Sequence, residues 1–90
     1  MRLPRDVNGE ELAKLLARYG YHITRQTGSH LRLTTTLRGE HHITVPLHSP
    51  LKVGTLSGIL ADVADHMQIP KETLVRELFH KRYRPGRPHP

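Results

Sequence analysis

The chain has 90 residues, which is enough for one small domain with a modest hydrophobic core and too few for two. Cysteine is absent, which excludes disulfide bonds and thiol chemistry. The sequence shows neither an apolar run of membrane-spanning length nor a signal-peptide pattern, so we expect a soluble, cytoplasmic protein. Fourteen Lys and Arg against eight Asp and Glu give a formal charge of +6, which favours either a polyanionic partner or simply a solvated basic surface.

The first predicted element is an amphipathic helix that follows a short lead-in. Asn8 and Glu11 fit an N-cap with an acidic residue three positions later, as in a capping box. Gly20 is suited to end the helix, because glycine readily adopts the left-handed conformation found at helix ends. Between them, apolar residues recur at helical spacing, at Leu12, Leu15, Leu16 and Tyr19. We therefore predict a helix of about three turns.

Three segments then alternate between apolar and polar residues with the period of two that is typical of half-buried strands. They cover residues 21–26, 30–34 and 41–45, and Pro46 ends the last one. Because these segments follow one another closely, they predict an antiparallel meander.

The apolar pattern also predicts the register of the first hairpin, since a slip of one residue moves apolar side chains to the wrong face. With residues 27–29 as a three-residue loop, Ile23 faces Leu33 and Gln26 faces His30. A two-residue loop would instead place Ile23 opposite a polar residue. We adopt the three-residue loop.

The second hairpin follows from a loop at residues 37–39, whose glycine takes the positive φ that such loops need. This register pairs Leu33 with Ile43 and Thr34 with His42. The apolar face of the sheet then carries Ile23, Leu31, Leu33, Ile43 and Val45. The polar, open face carries His22, Thr24, Gln26, His30, Arg32, Thr34, His42 and Thr44.

Two further helices are predicted after a loop rich in proline. Thr55 is the predicted N-cap of the second helix, which has an apolar stripe and ends near His66. Gly58 weakens this helix by about 1 kcal/mol relative to alanine, which indicates close packing at that point. Pro70 suits the first turn of a short third helix that runs to Phe79.

The predicted fold class is α+β: a helix, a three-stranded antiparallel sheet, a second helix and a short C-terminal helix, with the helices on one face of the sheet. Residues 1–79 form the single predicted domain. Residues 80–90 contain four Lys and Arg and no acidic residue. This composition predicts a disordered basic tail.

Three short segments, taken together, resemble a known family. They are Thr27-Gly28-Ser29-His30, Val45-Pro46-Leu47-His48 and Val53-Gly54-Thr55-Leu56-Ser57-Gly58-Ile59-Leu60. Their order and approximate spacing are similar to those of the HicA family, also called YcfA-like, which is the toxin half of HicA/HicB toxin–antitoxin modules. The resemblance runs from about Asn8 to Leu78.

The resemblance implies a fold like that of a double-stranded-RNA-binding domain (dsRBD). It also implies a type II toxin that cleaves mRNA without a metal ion or other cofactor and is neutralised by a HicB antitoxin. The family's essential histidine falls on His30, so we expect the antitoxin to cover that residue. Leu31 and Leu47 stand where many members have a polar or basic residue, which implies less positive charge around His30.

Cleavage of RNA without a metal ion requires a base for the 2′-hydroxyl, an acid for the leaving oxygen and cations near the phosphate. Histidine suits the first two roles, because its ordinary pKa is about 6.5. His30 is the first candidate, with an ordinary exposed strand histidine as the alternative. His48 is the second, because Pro46 faces His30 in the predicted register and His48 then begins a loop at the same end of the sheet. Its alternative is a loop residue that only caps or contacts a partner.

Four residues are candidates for binding the RNA backbone. Arg32 lies on the open face two residues from His30, and Lys52 precedes a helix N-terminus, where N–H groups and the helix dipole favour phosphate. A solvated surface charge is the alternative for both. Gly28 and Ser29 shape the turn, and the Ser29 hydroxyl is also placed to donate a hydrogen bond to a phosphate.

No metal or cofactor is expected, although eight histidines are present. His41 and His42 are adjacent in a strand and so point to opposite faces, and no cysteine or carboxylate stands at structural zinc spacing. Two rival functions remain open. One is a non-catalytic, dsRBD-like module that binds RNA through phosphates and 2′-hydroxyls, and the other is an inactive member that only binds its protein partner.

Overall fold

The computed structural model describes residues 3–80, which form one antiparallel sheet with helices on one of its faces. The helices are α1 (Gly9–Leu16), continued by the 3₁₀ turn Ala17–Tyr19, α2 (Val53–Met67), and α3 (Lys71–Val75), continued by the π-helical turn Arg76–His80. The strands are β1 (His22–Thr27), β2 (His30–Thr35) and β3 (His41–Pro46). The predicted α+β class and order of elements are confirmed. The predicted tail lies outside the described residues, apart from His80.

Helix α1 and the 3₁₀ turn that continues it together have the boundaries that the sequence predicts, although the α-helix itself ends at Leu16. The Glu11 N–H donates to the Asn8 side chain at 2.8 Å, and the Asn8 N–H donates to the Glu11 carboxylate at 3.0 Å, so the capping box is complete. Gly20 ends the following turn with φ of 82°. None of the described helices is long and apolar enough to cross a membrane.

The second hairpin has the predicted register. Strand β2 pairs with β3 so that Leu33 faces Ile43 and Thr34 faces His42. The last pair before the loop is Thr35 with His41, and Gly39 in the loop has φ of 99°, as the turn requires. The order β1-β2-β3 places β2 in the centre of the sheet.

The first hairpin differs from the prediction. Its loop has two residues, because Thr27 pairs with His30, and Gly28 stands first in this loop with a positive φ of 52°, as type II′ turns need. Ile23 nevertheless faces Leu33, because a β-bulge adds one residue to β1 between Ile23 and Arg25. The predicted three-residue loop is therefore wrong, although the Ile23 pairing is right.

The bulge exchanges two side chains between the faces of the sheet. Gln26, predicted opposite His30 on the open face, faces Leu31 and lines a cavity on the helix side. Arg25 faces Arg32 instead. Directly opposed residues point to the same side of a sheet, so Arg25 lies on the open face.

The hydrophobic core lies between the sheet and the helices. Ile23, which was predicted on the apolar face of the sheet, is 53 % exposed and is not part of this core. It lies on β1 at the edge of the sheet, where a cavity of about 300 Å³ separates it from α1. The largest fully buried side chains are Val7, Leu12, Leu16, Tyr21, Leu33, Val45, Leu56, Leu60, Val63, Leu74, Val75 and Leu78.

Helix α2 begins earlier than predicted. Its N-cap is Lys52 rather than Thr55, and the Lys52 carbonyl accepts from the Leu56 N–H at 2.9 Å. The reason is Leu51, which is buried and donates its N–H to the Val7 carbonyl at 2.8 Å, so the chain is fixed just before the helix. The close packing predicted at Gly58 is also wrong, because a Cβ added there meets no atom within 4 Å.

Candidate nucleic-acid interface

His30 is the first residue of β2 and lies on the open face of the sheet. It directly follows the Gly28-Ser29 loop, and its side chain is exposed. The Ser29 hydroxyl lies 3.4 Å from Nδ1 of His30. The Ser29 carbonyl accepts from the Leu47 N–H at 2.7 Å, which ties the loop to the end of β3. The exposed imidazole thus lies at one end of the sheet, beside a loop that is tied to the end of β3.

Two arginines lie one row further along the same face. Arg25 and Arg32 are direct cross-strand partners, and Thr44 of β3 continues the row on the other side of Arg32. Both arginine side chains are exposed, and neither forms an ion pair within residues 3–80. Residues two apart along a strand are separated by about 6.8 Å, so the arginine row directly adjoins His30.

Arg25 was missed by the sequence analysis. Regular alternation from Ile23 puts every second residue on the helix side, which includes Arg25 and excludes Gln26. A two-residue Gly-Ser turn and the pairing of Ile23 with Leu33 are compatible only if β1 contains one extra residue. Considered together, these two conditions were the signal in the sequence that could have revealed the bulge.

A chain of hydrogen bonds occupies the other end of the open face. The Nε2–H of His42 donates to the Glu40 carboxylate at 2.8 Å, and Nδ1 lies 2.8 Å from the Thr34 hydroxyl. The Thr34 hydroxyl lies 2.9 Å from that of Thr24, the bulged residue. Thr34 is four positions from His30 along β2, or about 13 Å. His42 therefore does not reach a substrate group that His30 contacts directly.

His48 lies at the same end of the sheet as His30, two residues beyond Pro46, which is the β3 partner of His30. Its carbonyl accepts from the N–H of Gly9 at 3.2 Å, which docks this loop on the start of α1. Its side chain is exposed and lines a cavity of about 280 Å³ beside Asn8. Within the described residues, no hydrogen bond joins the two imidazoles.

The remaining sequence candidates occupy separate positions. Lys52 is exposed at the N-cap of α2, whose first N–H groups have no side-chain cap. Leu31 is 2 % exposed and faces the helices, so its apolar side chain does not reduce the charge on the face that carries His30. Leu47 is half-buried against the core.

His41 faces the helices while its neighbour His42 lies on the open face, as their alternation predicts. Nδ1 of His41 lies 2.7 Å from the Tyr21 hydroxyl, and its Nε2–H donates to Asp62 of α2 at 3.1 Å. His66 stacks on the same imidazole with ring centroids 4.3 Å apart. Burial, and to a lesser degree the Asp62 carboxylate, raise the pKa of Tyr21 to about 12. This cluster links the sheet to α2 and lies on the face opposite His30.

No group of three or more metal-ligating side chains forms within residues 3–80. The larger cavity, between α1 and β1, is lined mostly by apolar groups and opens on the helix side of the sheet. The described chain therefore places His30, Arg32 and Arg25 on the open sheet face, whereas His48 lines the smaller cavity and Lys52 stands at the start of α2.

Comparison with known proteins gives one family. The family described as the HicA toxin of bacterial toxin–antitoxin modules matches residues 9–64, which is more than half of the chain. The match covers all three strands, the Gly28-Ser29 loop, His48 and most of α2. No curated protein and no solved structure matches the chain. The chain belongs to the HicA family of toxins from bacterial toxin–antitoxin modules.

Proposed function

We propose that this toxin is an endoribonuclease that cuts mRNA without a metal ion, with His30 as its catalytic acid or base. The observation that carries the proposal is the position of His30 on an open sheet face, exposed and adjoined by a row of two arginines. Membership of a toxin family supports a reaction that harms the cell, and mRNA cleavage is one.

The proposed reaction is transesterification within the RNA. The 2′-hydroxyl of one nucleotide loses its proton to a base and attacks the adjacent phosphorus, forming a new O–P bond. The bond from phosphorus to the 5′-oxygen of the next nucleotide breaks, and an acid protonates that oxygen. The products are a 2′,3′-cyclic phosphate and a free 5′-hydroxyl. Cations nearby stabilise the negative charge that develops on the phosphate.

His30 supplies one of the two proton transfers, and the other needs a second group. His48 is our candidate, because the Leu47 to Ser29 hydrogen bond holds its loop at the same end of the sheet as His30. We assign RNA-backbone contacts to Arg32, Ser29 and the Gly28 turn, which adjoin His30, and to Lys52 at the start of α2.

Control by an antitoxin follows from the openness of the site. Nothing within residues 3–80 shields His30, so a partner that covers the open face blocks both substrate binding and proton transfer. We assign this role to a HicB-like antitoxin, the partner that the toxin–antitoxin family implies.

The test is cleavage of an end-labelled RNA by purified protein in excess EDTA. We expect His30→Ala to lower the rate by at least about 100-fold, the usual contribution of a general acid or base. His22→Ala is the matched control, because His22 is exposed on the same face near the opposite end of β1 and its loss should leave cleavage unchanged. Circular dichroism checks that both variants fold.

Each outcome has a distinct meaning. Equal cleavage by wild type and His30→Ala, or loss of wild-type cleavage in EDTA, contradicts the mechanism. Tight RNA binding without cleavage identifies a non-catalytic RNA-binding module instead. If RNA binding and cleavage are both undetectable while antitoxin binding remains, the protein is an inactive member that only binds its partner. Adding the antitoxin should stop cleavage and protect His30 from diethyl pyrocarbonate, whereas an antitoxin complex in which His30 still reacts contradicts the covering role.

A further inference from the structure

Arg25 and Arg32 place two positive charges directly opposite each other on neighbouring strands of the open sheet face. Like charges directly opposite each other on neighbouring strands destabilise the pairing. Neither side chain is compensated by a carboxylate within residues 3–80, and the acid on this face, Glu40, binds His42 at the far end instead. The β-bulge in β1 creates the pair, because regular pairing would turn Arg25 to the helix side.

The surroundings of the pair suit a phosphate group. Thr44 beside Arg32 and Thr27 in the row of His30 add hydroxyl donors on the same face. Arginine forks match phosphate oxygens with two parallel hydrogen bonds, and two forks side by side surround one group from two directions. An anion bound between them also removes the repulsion of the pair.

We propose that Arg25 and Arg32 together form a binding site for an RNA phosphate next to His30, and that Arg25 is a positioning residue for the substrate. The RNA assignment rests on the proposed function, whereas binding of an anion by the pair does not. If the pair binds phosphate, the removal of one of its two charges should have opposite effects on two quantities. It should stabilise the free protein and weaken the complex with RNA.

The test compares Arg25→Gln with Arg76→Gln, which removes the same charge from an exposed position on the turn after α3. Without phosphate, Arg25→Gln should melt at a higher temperature than Arg76→Gln. Adding inorganic phosphate, at an ionic strength matched with chloride, should raise the melting temperature of wild type and Arg76→Gln, because a ligand of the folded state stabilises it. Arg25→Gln should lose at least half of this rise.

Binding of an RNA oligomer with 2′-O-methyl groups tests whether the anion that the arginine pair binds is an RNA phosphate. This RNA offers its phosphates but cannot be cut by its own 2′-hydroxyl. We expect Arg25→Gln to weaken binding about tenfold more than Arg76→Gln, and to lower the slope of log affinity against log salt by about 0.7, the value for one lost phosphate contact in a single strand.

The outcomes separate this inference from the nuclease proposal. Equal RNA affinity of the two variants overturns the phosphate site, even where His30 proves catalytic. A specific loss of affinity in Arg25→Gln supports the site, even where wild type cuts no RNA, and then places it in a non-catalytic binding surface. If the protein cuts RNA, Arg25→Gln should raise KM for cleavable RNA more than it lowers kcat. If Arg25 has a purely structural role, Arg25→Gln should instead lower the stability of the protein.

Discussion

Gly9 and Gly58 occupy opposite environments at the residue scale. A Cβ on Gly9 overlaps the carbonyl oxygen of Pro46 and approaches the backbone of Leu47, because α1 begins directly against the end of β3. A Cβ on Gly58 meets nothing within 4 Å on the exposed side of α2. The same substitution should therefore have opposite effects at the two positions.

We predict that Gly9→Ala lowers the free energy of unfolding by about 1–3 kcal/mol, since overpacking forces the backbone apart. Gly58→Ala should raise it by about 1 kcal/mol, because alanine has the higher helix propensity and meets no obstacle. Urea unfolding of the two variants and wild type measures both. A loss of stability in Gly58→Ala would show that this glycine has a packing role after all.

The candidate site illustrates what single residues reveal in the sequence. The Gly-Ser turn and the polar alternation after it were enough to predict His30 at the start of a strand on the open face. Arg25 could not be placed in the same way, because a bulge adds a residue to a strand without changing the residue types. Its consequence, two arginines in direct opposition, depends on pairing between strands and is visible only in the structure.

At the element scale, the two main helices begin differently. Helix α1 starts with a complete capping box at Asn8 and Glu11, and its start was predictable from these two residues. Helix α2 starts at Lys52, whose side chain caps nothing. Its start depends on the burial of Leu51 and on a backbone hydrogen bond to Val7, a contact over long sequence distance that no local pattern encodes.

We predict that Lys52→Asp stabilises the fold by about 0.5–2 kcal/mol, the usual contribution of a good N-cap side chain. The change also replaces a cation with an anion at the positive end of the helix dipole. Urea unfolding measures the gain. Thr55→Ala is the control, because Thr55 lies inside the helix and its removal should not cost an N-cap.

The Lys52→Asp variant also tests whether Lys52 contacts RNA. A more stable Lys52→Asp protein with weaker affinity for the 2′-O-methyl RNA would indicate a residue kept for binding at the expense of stability. Unchanged affinity would leave Lys52 as a solvated surface charge, and a destabilised Thr55→Ala protein would contradict the start of α2 at Lys52.

At the scale of the whole molecule, the two faces of the sheet carry different groups. The helix side carries the core and the cluster of Tyr21, His41 and Asp62, which joins the sheet to α2. The open side carries His30 and the arginine pair. Substitutions in the cluster should therefore change stability without changing RNA contacts directly, and the alkaline limit of stability gives a way to measure this.

We predict that stability falls between pH 10 and about pH 12, in part because of Tyr21. Burial and the Asp62 carboxylate raise the pKa of Tyr21 to about 12, so the folded protein keeps the phenol proton after the unfolded chain has lost it at about its ordinary value of 10.0. Between these values the unfolded state binds fewer protons, and stability decreases as pH rises. The contribution is fully present below pH 10.

Tyr21→Phe isolates this contribution. The variant should be less stable than wild type near neutral pH, because the hydrogen bond to His41 is lost, and its urea midpoint should fall less steeply between pH 10 and 12. Tyr19, whose pKa is also raised by burial and then by Glu77, is present in both proteins and cancels in the comparison. The absence of cysteine removes thiol reactions at high pH. Equal slopes for the two proteins would mean that the Tyr21 hydroxyl titrates alike in the folded and unfolded states, and that its contact with His41 does not hold the phenol proton.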